Sequence, residues 1–453
     1  MESSSIDGGA RSGAAGRIAL EMWVPEYPFM PLFLRRITEQ AEQFGRAHPR
    51  YRVEVRGHDW LELAGQVHRA ALAGRPPTIA QYFYTSAQEA RDATDAAGRP
   101  LFTSVGRALG GRREILGEPV VFDDIVPAAR DYYRFAGAAA AMPLLTSTTL
   151  CYVNLSMLQA AGVLRPPRTW AEVSAACAAV RRMRGDRGPT ISWPNHGWFF
   201  QQALAQQGAL LVDGDNGRAA RARRVLFSSP QLMAYVRWWL DLHREGHYLY
   251  QGPFDWDANF QAFAEQRVAM AMTTSVEAER MIRAGAQGGF AALACRLPYN
   301  GAAPYAGSVV GGDALWLASG LDEATRDGAL AFMQYLNNPA NAARRHQETG
   351  FIPITRSATR LLDGEGWFAR GPHHRVALRQ LDATDGSPAA RGALVGDLAS
   401  IQEVLVRAMR DVLADGAAPE KRFEQAADEA ESLLDDYNAY SAGLRSRGEI
   451  RVG

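Results

Sequence analysis

Between residues 17 and 83 the chain alternates short apolar runs with segments of helical spacing, and this alternation restricts the fold more than any composition figure. Residues 17–23 read as a strand, and residues 32–46 carry apolar positions at helical spacing closed by His48-Pro49. Residues 51–55 alternate as a second strand. A helix over roughly 61–73 ends at Gly74, and 78–83 follows Pro76-Pro77 as a third strand. A β-α-β-α-β order requires a parallel sheet with crossover helices, which is an α/β fold. At 453 residues the chain exceeds one compact core, so two domains are expected.

A second unit starts with the Leu150 strand. There the small polar cluster Thr146-Ser147-Thr148-Thr149 stands directly before Leu150-Cys151-Tyr152-Val153, which reads as a buried strand, and residues 171–184 form an Ala-rich helix. Residues 267–275 are another buried strand ending in hydroxyls, and Gly311-Gly312-Asp313 leads into a further one. Beyond Asp322 the pattern is mostly helical, including 323–336, 400–413 and 419–440. Hydroxyls at the end of a core strand can orient a polar ligand in the crevice where open α/β sheets bind.

Composition removes several function classes. Lys+Arg and Asp+Glu both total 49, so there is no basic surplus for nucleic acid. The three cysteines match no zinc or redox spacing and read as buried free thiols. No apolar run reaches the length of a membrane span. Residues 1–16 are polar, read as disordered, and form neither a secretory signal nor a lipid-anchor site. Either an export signal was removed and the protein works outside the cytoplasm, or Met1 is the native start and it stays inside. No phosphate loop, nucleophile elbow or dinucleotide fingerprint appears. No cofactor and no metal are expected. His373-His374 has no Cys or carboxylate at ligand spacing and reads as an exposed pair.

The order Pro143, small polar residues, Tyr152-x-Asn154, Ala161-Gly162 and Pro167-x-Thr169-Trp170 resembles the extracellular solute-binding proteins of carbohydrate ABC importers. Further landmarks are Met22-Trp23, Ala73-Gly74-x-x-Pro77, Gly197-Trp198, Gly311-Gly312-x-x-Leu315-Trp316 and His346 through Thr355. Together they are similar to the maltose-binding-like group, and in particular to its branch for glycerol phosphate and glycerophosphodiesters. The resemblance implies a two-lobed periplasmic-binding-protein-like fold of type II with the ligand between the lobes. Lobe 1 would hold 17–143 plus 270–314 and lobe 2 would hold 144–269 plus 315–453, with crossings near Leu144, Ala269 and Ala314.

The resemblance also implies a site. Thr146, Ser147 and Ser275 fall on serines that orient the ligand, Gly311 and Gly312 on a glycine pair with close backbone approach, and Trp198 on a cleft wall. Trp23, Tyr27, Trp60 and Tyr84 are further wall candidates, and Asp59 and Asp313 are carboxylates suited to ligand hydroxyls. Phe351 replaces a tyrosine of that branch, as wall or packing residue, and Tyr84 replaces a glutamate. Leu394 stands where the branch carries a phosphate-binding arginine, and Arg391 lies three positions away. A sugar-like or polyol-like ligand of little charge is therefore expected, bound by a monomer that serves a permease if exported. The alternative is a cytoplasmic member of the fold recruited as an enzyme or ligand sensor.

Overall fold

Strands β1 (Ile18–Glu26), β2 (Tyr51–Asp59) and β3 (Ile79–Phe83) are parallel neighbours, with Ile18 opposite Tyr51 and Met22 opposite Ile79. Their crossover helices are Phe33–Ala47 and Leu63–Leu72. The first buries Phe33, Ile37, Ala41 and Phe44, which recur at the spacing that places them on one helix face. The computed structural model describes residues 16–135, 137–185 and 188–443. The amino-terminal stretch 1–15 and residues 444–453 of the expected second lobe lie outside the described residues.

Two sheets divide the remaining long strands. The strands are β4 (Phe102–Thr103), β5 (Met142–Ser147), β6 (Thr149–Asn154), β7 (Ile191–Ser192), β8 (Met270–Thr274), β9 (Ala292–Arg296) and β10 (Gly311–Ala318). The first sheet runs β2-β1-β3-β10-β4, with β5 also paired to β10. The second runs β7-β8-β6-β9. On the second lobe the helix Trp170–Arg184 starts at a capping box in which Thr169 and Glu172 each accept from the other's backbone, and ends at left-handed Gly185.

The expected lobe boundaries need correction. Met270–Thr274 pairs antiparallel with β6, so it belongs to the second sheet, not to lobe 1. Strand β10 belongs whole to the first sheet, and the helix Glu323–Leu336 packs on β1, so the chain stays with that sheet well past Ala314. The carbonyl of Ala269 accepts from Asn154 and its N–H reaches Thr190, so no crossing occurs there. The chain crosses at Thr148 and again just before Gly311. It returns a third time beyond the helix Arg356–Gly364, whose Ser357 N–H still holds Asp124 of the first lobe. A short buried strand carries the same apolar pattern in either sheet, and its partner is chosen by non-local pairing.

The two crossings share one buried polar knot. The Thr148 hydroxyl donates to the Val309 carbonyl (3.0 Å) and accepts from Gln202 (3.2 Å) and Gln380 (3.3 Å). Gln202 also exchanges both of its amide bonds with Val309, while Gln380 donates to the Thr149 carbonyl and accepts from Leu297 N–H. Each member is buried, where an unmade hydrogen bond is costly. Thr148→Val removes the shared hydroxyl and is expected to destabilise by about 1–3 kcal/mol in urea unfolding, against well under ~1 kcal/mol for Thr38→Val at a partly buried helix hydroxyl.

Candidate functional site

The carboxyl ends of three parallel strands deliver Tyr27, Trp60 and Tyr84 to one edge of the first sheet. Strand β10 runs antiparallel to β3, with Asp313 opposite Phe83, so its start brings Gly311, Gly312 and Asp313 to that same edge. This is the crevice in which open α/β sheets bind ligands. Aromatic rings tile it: Tyr27 to Trp60 6.0 Å, Tyr27 to Phe83 6.1 Å, Phe83 to Tyr84 4.7 Å and Tyr84 to Trp198 6.3 Å between centroids.

Trp198 comes from the other lobe, in the first turn of the helix Gly197–Gln206. His196 caps that helix by accepting the Trp198 N–H at Nδ1 (3.0 Å), and burial lowers its pKa to about 4, so the cap stays neutral. The His196 ring lies 5.3 Å from both Phe254 and Trp256, an aromatic rim on the second lobe. Phe254 is 43% exposed and holds a left-handed φ of 56°, an unfavourable backbone for a bulky residue.

Hydrogen bonds and ring contacts join the lobes across the seam. The Tyr84 hydroxyl accepts from Gln402 (3.2 Å), and Tyr132 O–H is shared between the carbonyls of Tyr84 (3.1 Å) and Ala393 (3.2 Å). Arg218 donates to the carbonyls of Tyr132, Arg391 and Gly392, with its guanidinium 5.0 Å from the Tyr132 ring. Burial lowers that guanidinium to about 10, and three carbonyl acceptors hold it across the seam.

Several expected ligand groups have partners or close neighbours within the protein. A Cβ on Gly311 would stand 2.8 Å from the Trp198 ring, and one on Gly312, at φ 116°, would run into the Leu145 carbonyl. The glycine pair thus makes room for Trp198 and for the β5 backbone. Ser275 is bound into the crossing, its Oγ accepting from Thr148 N–H (3.2 Å) and its N–H donating to the Thr148 carbonyl (2.7 Å). Asp313 is buried and accepts from Tyr27 O–H (2.7 Å) and Gln81 Nε2 (2.5 Å), so it anchors the aromatic floor from beneath. Thr146 and Ser147, both buried, lie beside the glycine pair through the pairing of β5 with β10.

Three expected residues lie apart from this cluster. Trp23 sits on the opposite face of β1 from Leu20, Met22 and Val24, donating to Glu21 and packing 4.2 Å from His58. Asp59 is exposed and caps a turn by accepting from Leu61 and Glu62 N–H. Phe351 is buried next to β5 and gives its carbonyl to His346 (2.7 Å), a packing role at the hinge.

Trp198 Nε1, Gln81 Oε1 and Asn195 Oδ1 are buried with no hydrogen-bond partner among the described residues. They supply one donor and two acceptors that hydroxyl groups can satisfy. Gln81, Asn195, His196, Phe254 and Trp256 escaped the sequence reading. The Phe254–Trp256 aromatic spacing was the one visible signal. Leu394 is buried and its N–H is held by the Asn216 carbonyl, while Arg391 Nε is buried without a partner among the described residues. A groove of about 420 Å³ lined by Phe29, Leu32, Arg36, Val276, Arg345 and Glu348 adjoins the aromatic cluster, since Phe29 stacks on Tyr27 at 4.9 Å and Val276 follows Ser275.

A family model described as bacterial extracellular solute-binding protein matches residues 39–375. The sn-glycerol-3-phosphate-binding periplasmic protein UgpB of Pectobacterium atrosepticum is 26% identical over 412 residues, 88% of each chain. The protein of the same name from Salmonella typhimurium is 25% identical over 413 residues, 88% of this chain and 89% of its own. Among solved structures, the sugar-binding protein MalE of Xanthomonas citri superposes with a TM-score of 0.73 at 18% identity, covering 95% of this chain and all (100%) of that one. UgpB of Mycobacterium tuberculosis in complex with glycerophosphocholine gives a TM-score of 0.70 at 22% identity, covering 93% and 99%. The two structures establish the two-lobed periplasmic-binding-protein-like fold.

Burial pushes the Asp313 carboxyl up to about 7, against the lowering effect of its bonds from Gln81 and Tyr27. A raised carboxyl favours the protonated folded state, so its stabilising contribution is full below pH ~4 and is lost as pH rises through about 7. Asp313→Asn keeps a neutral acceptor at every pH. Its urea midpoint relative to the parent is expected to climb between pH 5 and pH 8, by at most a few kcal/mol in stability. A gap that stays level over that range is the contrary result.

Proposed function

Because the chain belongs to the family of bacterial extracellular solute-binding proteins, we propose that its lobes close on a small polar ligand of the sugar, polyol or glycerol-derivative class. The carrying observation is the aromatic set Tyr27, Trp60, Tyr84 and Trp198 brought to one interlobe edge, where Trp198 Nε1 is buried with no hydrogen-bond partner among the described residues. Ring faces pack on C–H surfaces while hydroxyls meet the polar atoms. Thr146 and Ser147 add hydroxyls at the same edge.

The relatives UgpB are named for sn-glycerol-3-phosphate. In this chain Leu394 offers no charge, and Arg218 is committed to three carbonyls. These features support a neutral ligand over a phosphorylated one. Closure is a population shift to which interlobe contacts such as Gln402 on Tyr84 and Arg218 on Tyr132 would contribute. The shut form is then recognised by the permease of an ABC importer on the outer side of the cytoplasmic membrane. No helix among the described residues is long and apolar enough to cross a membrane. The family match supports capture over recruitment as a cytoplasmic enzyme or sensor.

Isothermal titration against mono- and disaccharides, polyols, glycerophosphodiesters and sn-glycerol-3-phosphate tests the reading. Binding by a neutral sugar or polyol, weakened tenfold or more (~1.4 kcal/mol) in Trp198→Ala, is the expected result. Binding confined to phosphorylated ligands and abolished in Arg391→Ala would instead assign the anchor to Arg391. Silence across the panel, with the protein folded, would sink the capture reading for these ligand classes.

A further inference from the structure

A cluster outside the cleft has the composition of a metal site. His373 and His374 lie in the turn Pro372–Arg375, and Glu279 lies one turn beyond Ser275 on the helix Ala278–Gln287. The sequence alone reads the histidine pair as exposed and without a carboxylate at ligand spacing. Instead their side chains are only 11% and 8% exposed, and the carboxylate arrives from 94 residues away. His373 Nε2 stands 3.0 Å and His374 Nε2 3.4 Å from the same oxygen, Glu279 Oε2. One donor atom from each residue lies within 4.8 Å of the other two.

Those spacings decide the chemistry. Four ligands around zinc at ordinary bond lengths sit about 3.3 Å apart, so small side-chain shifts bring all three atoms onto one ion. Two imidazoles and one carboxylate are the donor set of a borderline cation, and the hard, all-oxygen preference of calcium or magnesium is not met. The surroundings hold the ligands in place. Trp367 stacks on the His374 ring at 4.9 Å and 24°, and Arg283 donates to the other Glu279 oxygen (3.1 Å). The neighbouring His346 is not available. Trp367 Nε1–H donates to its Nε2 (3.0 Å), and its Nδ1–H therefore goes to the Phe351 carbonyl.

We propose that Glu279, His373 and His374 form a binding site for a first-row divalent transition ion of the zinc type, with water completing the coordination. The ion ties the helix that follows Ser275 to the Pro372–Arg375 turn, so it stiffens the second lobe independently of the ligand in the cleft.

The test uses the full chain stripped with EDTA and titrated with Zn²⁺ by calorimetry and with Co²⁺ by visible absorption. One saturable site per chain is expected, with the ligand-field bands of Co²⁺ bound by nitrogen and oxygen. Zn²⁺ should raise the melting temperature, because it binds only the folded chain. His373→Gln/His374→Gln and Glu279→Gln should each weaken Zn²⁺ at least tenfold and abolish the thermal shift. Glu279 is half exposed, so that variant serves if the histidine pair fails to fold. Absence of saturable binding in the parent overturns the site, and so does binding that survives in a folded variant. The first outcome leaves a hydrogen-bonded trio and the second leaves adventitious binding at other histidines.

Discussion

The Thr148 hydroxyl holds the molecule at its narrowest point. There the chain leaves the first sheet after Ser147 and enters the second at Thr149, so a single residue separates the two sheets. The backbone at such a crossing can complete neither ladder, and the polar groups it leaves over are buried. Gln202 and Gln380 satisfy them from two separate helices, and Val309 brings the returning strand into the same knot. Ser275 completes it from the end of β8. Side-chain amides from the second lobe therefore hold the two crossing segments together. Removing one partner leaves a buried group unmade, which costs more than the bond itself contributes.

The cleft builds outward from that knot. Gly311 and Gly312 follow directly after Val309–Val310, and their missing side chains let Trp198 approach the start of β10. Trp198 meets Tyr84, Tyr84 accepts from Gln402, and Tyr132 and Arg218 close the seam behind them. Groups expected as direct ligand contacts have partners within the protein. Ser275 Oγ accepts from Thr148 N–H, and Asp313 Oδ2 accepts from Gln81 and from Tyr27 of the aromatic set. The seam presents ring faces and the buried Trp198 Nε1, which has no partner among the described residues.

Much of the architecture was legible because it is written in local periodicity. The β1 alternation, the one-face spacing of Phe33, Ile37, Ala41 and Phe44, and the capping box at Thr169 and Glu172 each need only neighbouring residues to be read. The helix over 323–336 lies where its periodicity places it, as Glu323–Leu336. The lobe boundaries were not legible. Met270–Thr274 and Gly311–Ala318 are both buried runs with small polar residues at one end, yet they join different sheets.

The site divides along the same line. The family resemblance marked Thr146, Ser147 and Trp198, and aromatic chemistry added Tyr27, Trp60 and Tyr84; the fold brings these residues to one seam. Residue chemistry equally marked Trp23 and Asp59, which face elsewhere because a strand turns alternate side chains to opposite faces and a turn can consume a carboxylate. The sequence by itself determined the alternation of strand and helix, the helix caps and the stock of aromatic and hydroxyl groups, since these depend on contacts a few residues long. Only the tertiary structure decided which sheet each crossing strand joins, that Asp313 points inward to Tyr27 and Gln81, and that Glu279 meets His373 and His374 across 94 residues. Those outcomes depend on loop closure and packing between distant segments, and no local pattern carries that information.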